Sequence, residues 1–340
     1  MRYTKRHLLY LIIVVLLAYF LAAFKLPYYI YKPGGADPLN PIVEVEGGFE
    51  SEGDMHLVTV SGGQATPIQY LWAKFLAHHE VLPLEKVRPK GISEDEYMHA
   101  QLQMMESSQE ASEVVGYKAA GADITITYEG VFIAGVIQGM PAEGILKIGD
   151  HVTGIDGKNI EETDDLITYV ESKNVGDTIT LDIERDGKQL SKDVKLEKFK
   201  DQEKVGLGIQ LVTDRNVQVD PEVQFSSGEI GGPSAGLMFS LEIYDQLTEE
   251  DLTKGYQIAG TGEVDYEGNV LRIGGIDKKV VAADREGCDI FFAPNEEGAD
   301  DSNYQVAKET AEEIGTDMKV VPVDTFDGAL DYLKKQEPKK

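Results

Sequence analysis

A serine hydroxyl becomes a useful nucleophile only when a base is held beside it. One serine here has surroundings suited to that role, in the stretch Gly231-Gly232-Pro233-Ser234-Ala235-Gly236, followed at once by the apolar run Leu237-Met238-Phe239-Ser240-Leu241-Glu242-Ile243-Tyr244. Two glycines and a proline predict a tight turn, and the run after it a buried helix over residues 234–247. Ser234 then sits at the turn-to-helix junction. The N–H groups of a first helical turn have no intrahelical partners, so Gly232, Pro233 and Ala235 are the candidates for shaping a turn that receives an oxyanion.

The base is not an obvious histidine. His7, His56, His78, His79, His99 and His151 all lie well upstream of Ser234. A better partner follows it, in Ile273-Gly274-Gly275-Ile276-Asp277-Lys278-Lys279-Val280-Val281-Ala282-Ala283, where a Gly-Gly turn leads into an apolar-faced helix. Between the two stands Gly260-Thr261-Gly262-Glu263, a hydroxyl flanked by glycines. A free lysine, with a pKa near 10.4, is only about 0.04% neutral at pH 7. Burial disfavours the ammonium, and a fall of about 3 units makes a useful fraction neutral. The apolar run after Lys279 suits such a depression, whereas Lys278 reads as a solvated helix lysine.

Together these elements resemble the proteolytic domain of the Lon family. The resemblance is carried by Pro-Ser-Ala-Gly around Ser234, Thr-Gly-Glu at Thr261 and Gly-Gly-x-x-x-Lys ending at Lys279, with spacings of 27 and 18 positions. It implies Ser234 as nucleophile, Lys279 as general base and Thr261 as the hydroxyl that helps hold the lysine. It departs at Gly231, where many Lon proteins carry an acidic residue two places before the proline. A Gly-Pro-Ser turn alone is usually only a turn; three elements in order are far more specific.

The chain opens on an apolar run over residues 8–24, extended to residue 26 where Lys25 can snorkel. Arg2, Lys5 and Arg6 precede it, so a retained signal-anchor is expected to place the N-terminus in the cytoplasm and everything after residue 30 outside. The rival is a cleaved signal peptide, given the small Ala18, Ala22 and Ala23. A formal net charge of −28 over 340 residues argues against nucleic acid or an anionic surface as partner of the ectodomain. One cysteine, Cys288, cannot form an internal disulfide.

Expected domains are residues 1–30 as tail and anchor, 31–121 as stem and flanking α/β segment, 122–200 as a PDZ-like domain and 201–336 as the Lon-type proteolytic domain. Residues 33–41 read as a stem, 56–60 as a strand, 67–78 as a helix and 93–120 as a long helix opened by a Ser93/Glu96 capping box. That segment receives no chemistry. In residues 139–158, a Pro-Ala turn, a Leu-Lys-x-Gly-Asp bend and an Ile-Asp-Gly hairpin resemble the bacterial PDZ signature. The resemblance implies a peptide groove beside residues 131–136, with Gly130, Val131, Phe132 and Ile133 as binding residues. A purely structural spacer is the alternative.

The last domain is expected to hold strands at 205–212, 217–224, 255–260, 270–272, 290–293 and 318–323, with helices at 234–247, 277–286, 302–314 and 325–335: an α+β fold. The order anchor, PDZ-like, Lon-like is similar to the membrane-anchored YlbL-type proteases of Gram-positive bacteria. No Gly-x-x-x-x-Gly-Lys-Ser/Thr loop occurs, so no ATP is expected, and no His-Glu-x-x-His or Cys-x-x-Cys pattern, so neither metal nor other cofactor. The expected function is an ATP-independent serine endopeptidase, possible as a homo-oligomer, acting on extracytoplasmic peptides or proteins. Two rivals stay open: a binding scaffold with an inactive protease domain, and a small-molecule kinase cradling phosphate on the Gly-rich turn.

Overall fold

The computed structural model describes residues 5–88, 92–185, 187–199 and 204–340, without the side chains of Lys5 and Leu8. Arg2 and those two side chains therefore lie outside the described residues. The chain forms two compact units, Met1–Ile124 with Val219–Lys340, and Thr125–Gln218. The expected boundaries change accordingly: residues 31–121 are not a separate flanking domain but part of the unit that carries Ser234.

The reason is a shared sheet. Its six strands run in the order Lys319–Val323, Ile290–Pro294, Gln257–Gly260, Asp54–Gln64, Tyr28–Pro38 and Glu80–Pro83. The first four are parallel, and the last two pair antiparallel. Residues 33–41, expected as a stem, contain the end of a strand. Pro33-Gly34-Gly35 looks like a loop, yet the strand absorbs it as a register shift between Pro33 and Ala36.

Both faces of this sheet are covered. Successive side chains of a strand point to opposite sides, so Ile258 and Phe292 meet Leu237, Met238, Phe239 and Leu241 of the helix Gly236–Leu247. Their neighbours Ala259 and Phe291 meet Val280 and Ala283 of the helix Ile276–Arg285. The long helix Glu94–Ala120 starts on its expected capping box, ends on the left-handed Gly121, and contributes Met105, Ala111, Val115 and Tyr117 to the first of these cores.

The N-terminal helix spans Lys5–Ala23. It stops short of the expected residue 26 because the residue before Pro27 is disfavoured in helical geometry, and the chain turns into the strand Tyr28–Pro38. Among the described residues no helix is long and apolar enough to cross a membrane. The expected span over residues 8–26 is corrected to that extent.

The second unit takes in most of the strands Asp123–Val136 and Ile209–Asp220, the strands His151–Ile155, Thr178–Arg185 and Lys188–Lys195, and the helix Thr163–Glu171. Asp150, in the expected bend, is buried and receives Arg185 Nε and Nη2 at 2.6 Å each. The peptide-groove expectation needs correction. In the sheet order the strand Asp123–Val136 lies between Ile209–Asp220 and His151–Ile155, hydrogen-bonded to both, so it is not an edge. Val131 and Ile133 are core residues. Phe132 is half-exposed and stacks on His151 with ring centroids 4.6 Å apart, and Gly130 adopts φ 130° against the Val152 carbonyl.

Candidate active site

The three sequence elements converge at one end of the sheet. Ser234 precedes the helix on one face, Lys279 lies on the helix covering the other face, and Thr261 directly follows the strand Gln257–Gly260 between them. Lys279 Nζ is 2.6 Å from Ser234 Oγ and 2.8 Å from Thr261 Oγ1.

Thr261 also fixes the serine from behind. Its hydroxyl donates to the Ser234 carbonyl at 2.9 Å, and the Gly262 N–H donates to the same oxygen at 3.0 Å. With its proton spent there, Thr261 Oγ1 can only accept from Lys279. A neutral lysine amine that gives one N–H to Thr261 can then direct its lone pair at the Ser234 hydroxyl.

Lys279 is 3% exposed, and burial pulls its pKa down from 10.5 to about 7. Its helix begins at Gly275, which adopts the left-handed φ 71° as N-cap; a Cβ there would lie 2.8 Å from Val60 Cγ2. Two requirements, the backbone conformation and the close approach, thus explain a glycine four residues before Lys279. Lys278 differs from the expected solvated lysine: it is 4% exposed and donates to Glu80 at 3.0 Å and Asp277 at 3.1 Å.

The serine helix starts at Gly236, two residues later than expected, with Ala235 as N-cap in helical conformation. Ser234 stands in the preceding turn. Of the three turn residues, Gly232 is not an available oxyanion donor, because its N–H is spent on the Gln101 carbonyl at 2.8 Å. Pro233 has no N–H, and its carbonyl accepts from Ser108 Oγ at 2.8 Å. Among the described residues, neither the Ser234 nor the Ala235 N–H donates to a backbone carbonyl. These two amides are the donors left for an oxyanion.

Gln101 and Ser108 belong to the helix Glu94–Ala120, the segment read as carrying no chemistry. Ser112 Oγ reaches the Gly236 carbonyl at 3.0 Å, and a Cβ on Gly116 would lie 2.7 Å from Ile243 Cγ2. Ser108, Ser112 and Gly116, spaced by four, form a small-residue stripe that lets the serine helix approach closely. That spacing is the signal the sequence offered. The stripe's neighbour Gln101 also explains Gly231: a Cβ there would lie 2.6 Å from Gln101 Cβ and 3.1 Å from its backbone carbon.

Ser234 and Lys279 open into a cleft of about 930 Å³, lined among others by Tyr29, Tyr31, Tyr97, Met105 and Ile230. No group of three or more metal-ligating side chains occurs among the described residues.

Residues 207–335 match the family model of the Lon protease (S16) C-terminal proteolytic domain, and residues 96–196 match that of the PDZ domain. The chain is 34% identical over 92 residues to the Lon protease of Aster yellows witches'-broom phytoplasma, covering 27% of this chain and 11% of the relative. It is 28% identical over 142 residues to the archaeal Lon protease of Halobacterium salinarum, covering 41% and 19%. The chain thus spans less than a fifth of the length of these curated relatives. A crystal structure of the PDZ domain of the SdrC-like protein from Listeria monocytogenes is 35% identical, covering 26% of this chain and 93% of that domain, with a TM-score of 0.25. Neither family match includes the strands at residues 28–64 that complete the sheet under Ser234. The chain combines a PDZ domain with the C-terminal proteolytic domain of Lon-type serine peptidases.

Proposed function

We propose that this protein is an ATP-independent endopeptidase in which Ser234 attacks a peptide carbonyl while Lys279 takes its proton. The observation that carries this reading is the buried Lys279 amine, 2.6 Å from Ser234 Oγ and with its pKa lowered to about 7. A buried amine next to a hydroxyl is arranged for proton transfer, not for charge pairing. Thr261 orients the amine, the Ser234 and Ala235 amides receive the oxyanion, and water releases the acyl-enzyme. ATP independence rests on the lack of a phosphate-binding loop within these residues, and it favours unfolded, flexible or short substrates.

The membrane location rests on the apolar run of residues 8–24 behind Arg2, Lys5 and Arg6, which favours a cytoplasmic N-terminus and a catalytic unit on the outer side. Substrate selection is assigned to the PDZ domain, acting at a surface other than the internal strand of residues 131–136. The test is peptide-end mass spectrometry on membranes and medium from cells carrying wild type, Ser234→Ala or Lys279→Ala. New peptide ends made only by the wild type support the reading. Identical ends in all three, with equal amounts of protein, favour the non-catalytic scaffold.

A further inference from the structure

The helix Pro67–Ala73 and the turn after it leave an apolar face uncovered. Ile68, Leu71, Trp72 and Phe75 follow the i, i+3, i+4, i+7 spacing of one helical face and are 44%, 56%, 62% and 85% exposed. Leu76 beside them is 46% exposed. The opposite side is packed: Ala73 and Ala65 are buried and contact Leu26, Tyr28 and Tyr70. Leu26 is the residue by which the N-terminal apolar segment enters the folded unit, and its amide donates to the Ala65 carbonyl at 2.8 Å. The helix Pro67–Ala73 is also a neighbour of the helix Lys5–Ala23, where Leu11, Val14, Leu16 and Leu17 are each more than half exposed.

Charge marks the same two stretches. Residues 1–36 and 55–79 contain none of the 60 acidic residues and six of the 32 basic ones, among them Lys25 and Lys74. All of the negative charge lies elsewhere in the chain. Trp and Tyr with an apolar body and a polar tip, flanked by lysines, suit the boundary between headgroups and acyl chains. Lys74 Nζ lies 4.5 Å from the centroid of the Tyr70 ring.

We infer that the face formed by Ile68, Leu71, Trp72 and Phe75 lies in the headgroup–acyl boundary of a bilayer, a second membrane contact that holds the catalytic unit at the surface. This rests on the membrane reading above and needs the N-terminal helix to be in the bilayer. Trp72 is the single tryptophan of the chain, so its fluorescence reports this face directly.

The experiment reconstitutes the full chain into phosphatidylcholine–phosphatidylglycerol vesicles, isolates it by flotation, and repeats the measurement with lipids brominated either near the headgroup or near the chain end. The expected result is flotation with Trp72 emission quenched by about half or more, and more strongly by the shallow bromines. The double variant L71S/F75S, altering only exposed side chains, keeps peptide cleavage and loses most of that quenching. Flotation with unquenched Trp72 overturns the proposal while leaving the membrane reading intact. Failure to float sinks both. Trp72 shielded from aqueous acrylamide yet unquenched by bromolipid assigns the face to a second copy of the chain instead.

Discussion

At the residue scale, the proposed chemistry depends on keeping one lysine neutral. In the unfolded chain Lys279 holds its proton up to about 10.5, and in the folded unit only up to about 7. Between those values the unfolded state binds more protons, so this group's contribution to stability rises with pH from about 7 to 10.5. At neutral pH its burial is a cost, which the proposed role as base accounts for. Peptidase activity should rise on a limb centred near pH 7 as the amine loses its proton, which a pH–kcat/KM profile on a short fluorogenic peptide measures. Lys279→Met should abolish cleavage and raise unfolding free energy at pH 7 by roughly 1–3 kcal/mol, read from denaturant melts, because it removes a desolvated polar group. An inactive but less stable variant would contradict this account. Thr261→Val removes both the acceptor for Lys279 and the donor to the Ser234 carbonyl. A loss of about 10- to 100-fold in kcat is expected, with secondary structure retained by circular dichroism.

At the element scale, the helix Glu94–Ala120 sets the position of the serine turn. It supplies the Gln101 carbonyl to Gly232, the Ser108 hydroxyl to Pro233 and the Ser112 hydroxyl to Gly236. A carboxylate at position 231, as in many Lon proteins, has no room beneath Gln101. Gly231→Asp should therefore displace this contact, lowering thermal stability by an equivalent of about 1–3 kcal/mol and cleavage by more than the stability loss explains. Unchanged melting and unchanged cleavage in that variant would show that the helix does not fix the turn. The same scale explains the PDZ unit. The resemblance implied a groove beside residues 131–136, but local sequence is silent on whether both edges of a strand are paired, and the strand Ile209–Asp220 occupies the edge expected for a peptide.

At the scale of the whole molecule, stability is also tied to pH by buried carboxyls. Glu242 and Asp245, on the distal half of the serine helix, are pushed up to about 7 and about 6, chiefly by burial; Glu113 is raised to about 7 for the same reason. Each binds a proton more readily folded than unfolded. Their stabilising contribution is fully present below the unfolded pKa near 4 and is lost as pH rises through 6 to 7. Glu242→Gln keeps an oxygen to accept from Gln246 Nε2 but cannot ionise. Relative to this variant, the wild type should lose up to about 3 kcal/mol of stability between pH 4.5 and 7.5, measured as a difference of urea melts across pH. Parallel curves would remove Glu242 from the pH response.

That Ser234, Thr261 and Lys279 come together was legible because the proposed nucleophile, orienting hydroxyl and base need particular residue types in glycine-framed settings, and such settings are local. The helices following Pro233 and Gly275 were legible for the same reason, as apolar spacing and turn residues act over a few positions. Long-range pairing was not. Only the tertiary structure placed Asp54–Gln64 beside Gln257–Gly260, joined residues 1–124 to 219–340, absorbed Pro33-Gly34-Gly35 into a strand, and buried Lys278 against Glu80. A strand's hydrogen bonds are satisfied by whichever neighbour the fold brings, and a lysine's exposure by whichever carboxylate meets it. Those choices are settled by packing among distant segments, on which composition and spacing exert no local constraint.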